Sequence, residues 1–387
     1  MLINLRNALM SGKRLPYDAE AEYLQSSGTQ WIDTGINAKQ SLKIRAVFET
    51  NASTSYFAYG VRAGNSTITC STGIGKDLGV ARWGASAYAD AGPGGLVDIT
   101  QDSSGVIVNG TSHRYNATQT VVEQSGYTMT LFAGRNSTTT VTANMVGKFN
   151  SCKIWDNGTL VRDFIPVRKG TVGYLYDRVS GKLFGNAGTG DFVVGPDVVP
   201  VEYIESHGTE YIDTGYIPNQ QTRWELDYQF ASIGTTALNG MFQLNPTVRF
   251  NMGQDSNGFF NISYGEDNHL SITADTLRHL FVMDVSVLQW RIDSNSGAFP
   301  GAVTNTLQNS LRIFCRNSPG GTVYNRHSGR CFASRMYQSD VLSQRILPVR
   351  VGTEGAMMDV LTRRIYRNAG TGAFTYGNDL KYPIPSE

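Results

Sequence analysis

Glu22-Tyr-Leu-Gln-Ser-Ser-Gly-Thr-Gln-Trp-Ile-Asp-Thr-Gly35 returns 180 residues later as Glu202-Tyr-Ile-Glu-Ser-His-Gly-Thr-Glu-Tyr-Ile-Asp-Thr-Gly215. The far ends repeat too. Ile165-Pro-Val-Arg168 matches Leu347-Pro-Val-Arg350, and Asn186-Ala-Gly-Thr-Gly190 matches Asn368-Ala-Gly-Thr-Gly372, now at a spacing of 182. Both ends of the unit recur at nearly constant separation, so the repeat is a whole domain and not a solenoid turn. The seam falls near Gly195-Pro-Asp-Val-Val-Pro200, a linker bracketed by prolines. The reading is an arm at 1–19, a first domain at 20–197 and a second at 198–387.

Inside each unit the apolar residues alternate. Leu42, Ile44, Ala46 and Phe48 share one face, as do Trp224, Leu226, Tyr228 and Phe230, opposite Glu225, Asp227 and Gln229. Period-two runs bounded by Gly, Asn, Asp and Ser predict half-buried strands. Thr128–Ala133, Gly147–Trp155 and Leu280–Ile292 are further strand candidates. Tyr174–Phe184 reads as a hairpin turning at Asp177–Gly181. Of 387 residues, 42 are Gly and 36 are Tyr or Phe, a mix that suits short strands and tight turns. The expected fold class is all-β: two tandem antiparallel β-sandwich domains of the jelly-roll type behind a short N-terminal arm.

Charge and cysteine content exclude other classes. A net charge of +1 gives no global field to draw nucleic acid or an anionic membrane. No apolar run is long enough to span a bilayer, so no membrane insertion is expected. Cys70, Cys152, Cys315 and Cys331 form no C-x-x-C pair, which predicts free thiols in place of a zinc or disulfide framework. Met1–Leu15 lacks an uninterrupted apolar core, so it does not read as a secretory signal. Leu2, Leu5, Leu9 and Met10 fall on one helical face, which predicts a short amphipathic docking or oligomerisation helix.

The repeated opening, the internal Arg135-Asn136 and Arg316-Asn317, the late strand Cys152-Lys-Ile-Trp-Asp156 and the closing I/L-P-V-R…N-A-G-T-G resemble the concanavalin A-like and laminin-G-like jelly rolls of gut bacteriophage and Bacteroidales proteins. The leader-like arm is similar to those of phage proteins. The resemblance implies a non-enzymatic virion protein, a fibre or decoration component with two lectin-like domains that bind cell-surface or mucus glycans. Homo-oligomers, a trimer among them, and other virion proteins reached through the arm are its expected partners. A bacterial surface adhesin, a structural virion spacer and a glycoside hydrolase are the alternatives.

Candidate sites follow from residue chemistry. Laminarinase-like members of this fold carry E-x-D-x-x-E on one strand. Here Glu225 and Asp227 stand at the first two places, but Phe230 replaces the acid. The chain is therefore read as not an enzyme. The N-A-G-T-G loops lack the Lys-Ser/Thr of a phosphate cradle and read as turns. Asp33 and Asp213 are the candidate ligands of a Ca2+ ion, the one cofactor considered, and otherwise cap the following turn. Glycan binding needs aromatic platforms with polar neighbours. Arg82 and Trp83, aligned with Ser263 and Tyr264, supply one set; His269, Trp290 and Arg291 supply the rest. Trp31/Tyr211 and Trp155/Tyr337 replace each other as aromatics between the units and are expected in the core.

Overall fold

The computed structural model describes the chain from Leu15 onward, except 51–55, 63–68, 75–78, 85, 90–94, 116, 118–119, 143, 244–247, 266–268, 302–306, 381–382 and 385–387. The arm positions Leu2, Leu5, Leu9 and Met10 lie outside the described residues. Two compact units appear, Met1–Asp197 and Val198–Glu387. Each contains a larger and a smaller sheet, and among the described residues the named strands pair antiparallel except for one short parallel pairing in each smaller sheet. Among the described residues the only helical segment is a 3-10 turn at Pro319–Gly321.

In unit 1 the larger sheet runs through Thr111–His113, Gly105–Val108, Gly95–Asp102, Leu42–Thr50, Val146–Asp156, Thr159–Lys169 and Val172–Asp177. In unit 2 the matching order is Asn295–Ala298, Gln289–Ile292, Arg278–Asp284, Thr222–Phe230, Ser328–Gln338, Val341–Val351 and Glu354–Asp359. Alternation decides the faces. Leu42, Ile44, Ala46 and Phe48 are buried, and so are Trp224, Leu226, Tyr228 and Phe230. Each of the large side chains among these contributes about 1.5–3 kcal/mol by leaving water. Lys43, Arg45 and Glu49 face outward, as do Arg223, Glu225 and Asp227. The smaller sheet closes each core from the other side with Tyr59, Cys70 and Trp83 in unit 1 and Met241, Phe250 and Tyr264 in unit 2. A buried amide ties the two sheets of unit 1 together. Gln101 Oε1 accepts the Tyr59 hydroxyl at 2.8 Å, and Gln101 Nε2 donates to the Arg82 carbonyl at 2.8 Å. All four cysteines are free and buried.

The repeated motifs at the unit's ends meet. Asn186 Oδ1 accepts the backbone N–H of Trp31 at 3.1 Å, and Asn368 Oδ1 accepts that of Tyr211 at 3.1 Å. Ala187 N–H donates to the Trp31 carbonyl, and Ala369 N–H to that of Tyr211, each at 2.9 Å. Only glycine fits the next place. A Cβ on Gly188 would stand 2.0 Å from the Thr29 carbonyl oxygen, and one on Gly370 2.1 Å from that of Thr209. The arginines of the P-V-R motifs secure the exits. Arg168 grips both oxygens of Asp197 at 2.7 and 2.6 Å, and Arg350 grips Asp379 in the same way. The opening and closing motifs thus recur together because they form one clasp.

Two expectations need correction. Leu280–Ile292 is not one strand but parts of two, Arg278–Asp284 and Gln289–Ile292, joined by a turn in which Leu288 takes φ +56°. The Arg-Asn pairs are also one residue out of step. Arg135 lies beside Val61 and Asn317 beside Met241, so the structural equivalent of Arg135 is Asn317, not Arg316.

Candidate functional site

The proposed sugar-stacking aromatics do not share a platform. On Gly79–Trp83, Ala81 and Trp83 point inward and Arg82 outward, so Trp83 is 1% exposed. Its indole N–H donates to Gln40 Oε1 at 3.0 Å. Tyr264 occupies the same place in unit 2, since it opposes Phe250 as Trp83 opposes Cys70. It is 3% exposed, edge-on to Phe250 and Phe299. Both rings are core residues with no face for a sugar, which overturns their assignment as platforms. Arg82 is half-buried on the outer face, where burial and the nearby Arg62 lower its pKa. His269 opens the strand His269–Thr273 of the smaller sheet; its side chain lies outside the described residues. Trp290 and Arg291 sit on the larger sheet instead. The Trp290 indole lies so close over Gly297 that a Cβ there would be 2.5 Å from the ring. Arg291 points outward and is exposed.

The calcium assignment is likewise corrected. Asp33 Oδ1 accepts the Gly35 N–H at 2.9 Å, and Oδ2 accepts the Thr128 hydroxyl at 2.9 Å and Arg135 Nη2 at 2.6 Å. Asp213 accepts Gly215 N–H at 3.1 Å, the Ser310 hydroxyl at 2.6 Å and Arg312 Nε at 2.9 Å. A guanidinium already neutralises each carboxylate, and among the described residues no group of three His, Cys, Asp or Glu converges. Each arginine also lies over the motif aromatic, Arg135 at 5.7 Å from Trp31 and Arg312 at 5.1 Å from Tyr211. The trio of Asp, Arg and aromatic ring is kept although the arginine comes from a different strand in each unit.

The outer faces of the larger sheets carry aromatics that the sequence reading placed in the core. Trp155 is half-buried there, with Lys43 Nζ 5.6 Å from its ring. Tyr337 is half-buried beneath Arg223, 3.9 Å away. Glu225 and Asp227 share this face. Glu225 lies 3.5 Å from both Arg223 and Arg335, and Arg278 grips both oxygens of Asp227 at 2.7 and 2.6 Å.

A depression of about 490 Å3 opens at the edge of the larger sheet of unit 1. Its floor is the cross-strand row Thr100, Ile107 and Ser112; Lys43, His113 and Arg114 stand around it. Its one carboxylate, Asp102, already accepts the N–H and hydroxyl of Ser104 at 2.8 and 2.6 Å. Ile107 is 41% exposed. Strand register makes Val106 and Ile107 the counterparts of Trp290 and Arg291, and His113 that of Gly297. Val106 and Trp290 lie on the core-facing side of their sheets, so the Trp290 indole packs against the unit 2 core, and the counterpart of the floor residue Ile107 is the exposed Arg291.

No family model matches the chain, and no curated protein does. Among solved structures, domains LG4-5 of the mouse laminin alpha1 chain are similar at 11% identity and a TM-score of 0.29, over 97% of this chain and 100% of that one.

Proposed function

We propose that this chain is a non-enzymatic glycan-binding protein whose first unit takes an acidic sugar at the depression beside Lys43. The observation that carries the reading is an open, mainly cationic hollow with an apolar floor residue and the Trp155 ring beneath Lys43. Lys and Arg offer point and forked donors to a carboxylate or sulfate, while Ile107 and Trp155 meet C–H faces. A non-catalytic role is supported by Glu225 and Asp227, which are engaged by arginines on an open sheet face. The arm and the family resemblance favour display on a bacteriophage particle, as a fibre or decoration component in a homo-oligomer. Many copies would then raise avidity from weak single sites.

The test is a glycan array with the full chain and a Lys43→Ala/Arg114→Ala variant. Acidic glycans should bind the parent and lose at least tenfold affinity in the variant. Equal binding by both refutes the site, and sustained turnover of laminarin or mucin glycans refutes the non-enzymatic reading. For the display role, sedimentation of the full chain is compared with a version lacking residues 1–16. Monomers in both would overturn the role given to the arm.

A further inference from the structure

The repeat supplies an internal control for each outward position. On the larger sheet of unit 1, the buried Lys153 and Asp163 stand opposite each other with opposite charges, and Arg178 lies 2.8 Å from Asp163. The counterparts in unit 2 are Arg335 and Arg345, which oppose each other directly. Like charges in that position repel. Arg178 is replaced in turn by Val360, whose N–H donates to the Arg345 carbonyl. Among the described residues the acidic partner of Arg335 is Glu225, at 3.5 Å, and Glu225 is shared with Arg223. The side chain of Arg345 has no acidic partner among the described residues, and its buried Nε has no hydrogen-bond acceptor. Burial and the adjacent Arg335 both lower its pKa. The half-buried Tyr337 stands two residues along the same face from Arg335.

We infer that Arg335 and Arg345 form an oxyanion-binding site on unit 2, separate from the hollow of unit 1. Two guanidinium forks side by side match the oxygens of a sulfate or carboxylate group, and an anion between them removes the repulsion and satisfies Nε. Arg345 stands where unit 1 has the carboxylate of Asp163, so the bound group does from outside what Asp163 does from within.

Inorganic sulfate is the probe, measured by calorimetry and by thermal unfolding of the full chain against chloride at equal ionic strength. Sulfate should raise the unfolding midpoint of the parent more than chloride does. Arg345→Asp copies unit 1; it should raise the midpoint without sulfate and abolish the sulfate-specific increment. Arg345→Gln, which removes the charge and the guanidinium fork without adding a carboxylate, should weaken sulfate at least tenfold. Lys43→Ala should leave this binding unchanged, which separates it from the glycan reading. A sulfated disaccharide at least tenfold tighter than sulfate assigns a glycan-borne group, and equal affinity assigns the free anion; either supports the site. No sulfate-specific effect in the parent, or an undiminished effect in both Arg345 variants, overturns it.

Discussion

Replacing His327 by methionine asks how unit 2 responds to acid. Unit 1 has Met145 at the same place: its N–H donates to the Phe132 carbonyl as the His327 N–H donates to that of Phe314. His327 is buried beside Tyr228 and Phe230, with ring centroids 5.7 and 5.6 Å away. Its Nδ1–H donates to the Asn325 carbonyl at 2.9 Å, which fixes the tautomer and leaves Nε2 a buried acceptor without a donor. Burial lowers its pKa from 6.5 to about 4. Between these two values the unfolded chain binds a proton that the folded chain refuses, so stability falls as the pH drops from 6.5 to 4. At about 1.4 kcal/mol per pH unit, the full loss is about 3 kcal/mol. Hydrogen–deuterium exchange of peptides spanning Thr222–Phe230, measured in graded urea, reports the opening of unit 2. The parent should lose about 3 kcal/mol relative to His327→Met between pH 6.5 and pH 4. At neutral pH the variant should match or exceed the parent, because it removes an unsatisfied buried group. Parallel curves for parent and variant over this range would refute the argument.

A second histidine works in the opposite direction. Burial disfavours the charged ring of His279, but hydrogen bonds to Asp275 at 2.8 Å and Asp293 at 2.7 Å outweigh it and raise the pKa. Its contribution is complete below pH 6.5 and is lost as pH rises through the folded value, so His279→Asn should flatten the exchange curve above pH 6.5. In the clasp, Gly188→Ala or Gly370→Ala should cost about 1–3 kcal/mol by overpacking, read by urea denaturation. Gly301→Ala, where a Cβ meets nothing within 4 Å, should be near neutral. Calcium or a chelator should leave the thermal midpoint of the full chain unchanged, because arginines occupy Asp33 and Asp213; a calcium-dependent rise would contradict that. Trp83→Ala should cost about 3–5 kcal/mol while the folded protein keeps its glycan affinity; loss of affinity at full folding would contradict the core placement.

The fold was legible because its signals are local or repeated. The alternation from Leu42 to Phe48 and from Trp224 to Phe230 named the inward faces correctly, and the hairpin at Asp177–Gly181 formed as its turn residues suggest. The site was harder to read for a physical reason. Alternation tells which side chains share a face, not whether an aromatic among them is covered. Trp83 alternates with Arg82 and is inward, while Trp155 follows the buried Ile154 and is outward; both read as an aromatic on a strand. The arginines on Asp33 and Asp213 were illegible because they arrive from about 100 residues away and from different strands, Gly134–Arg135 and Arg312–Ile313. The hollow around Lys43 draws on four strands, Leu42–Thr50, Gly95–Asp102, Gly105–Val108 and Thr111–His113, and contains no motif at all.

The clasp also decides how a unit yields under load. Ala21 and Asp197, where the chain enters and leaves unit 1, are neighbours in an antiparallel bridge, and Val201 and Asp379 are neighbours in unit 2. Tension applied through such adjacent ends peels rungs one after another instead of shearing a whole strand at once. The Arg168–Asp197 and Arg350–Asp379 forks stand at that first rung. In a tethered chain exposed to flow, these two ion pairs are the mechanical fuses, and the cores behind them are strained only after the forks have parted.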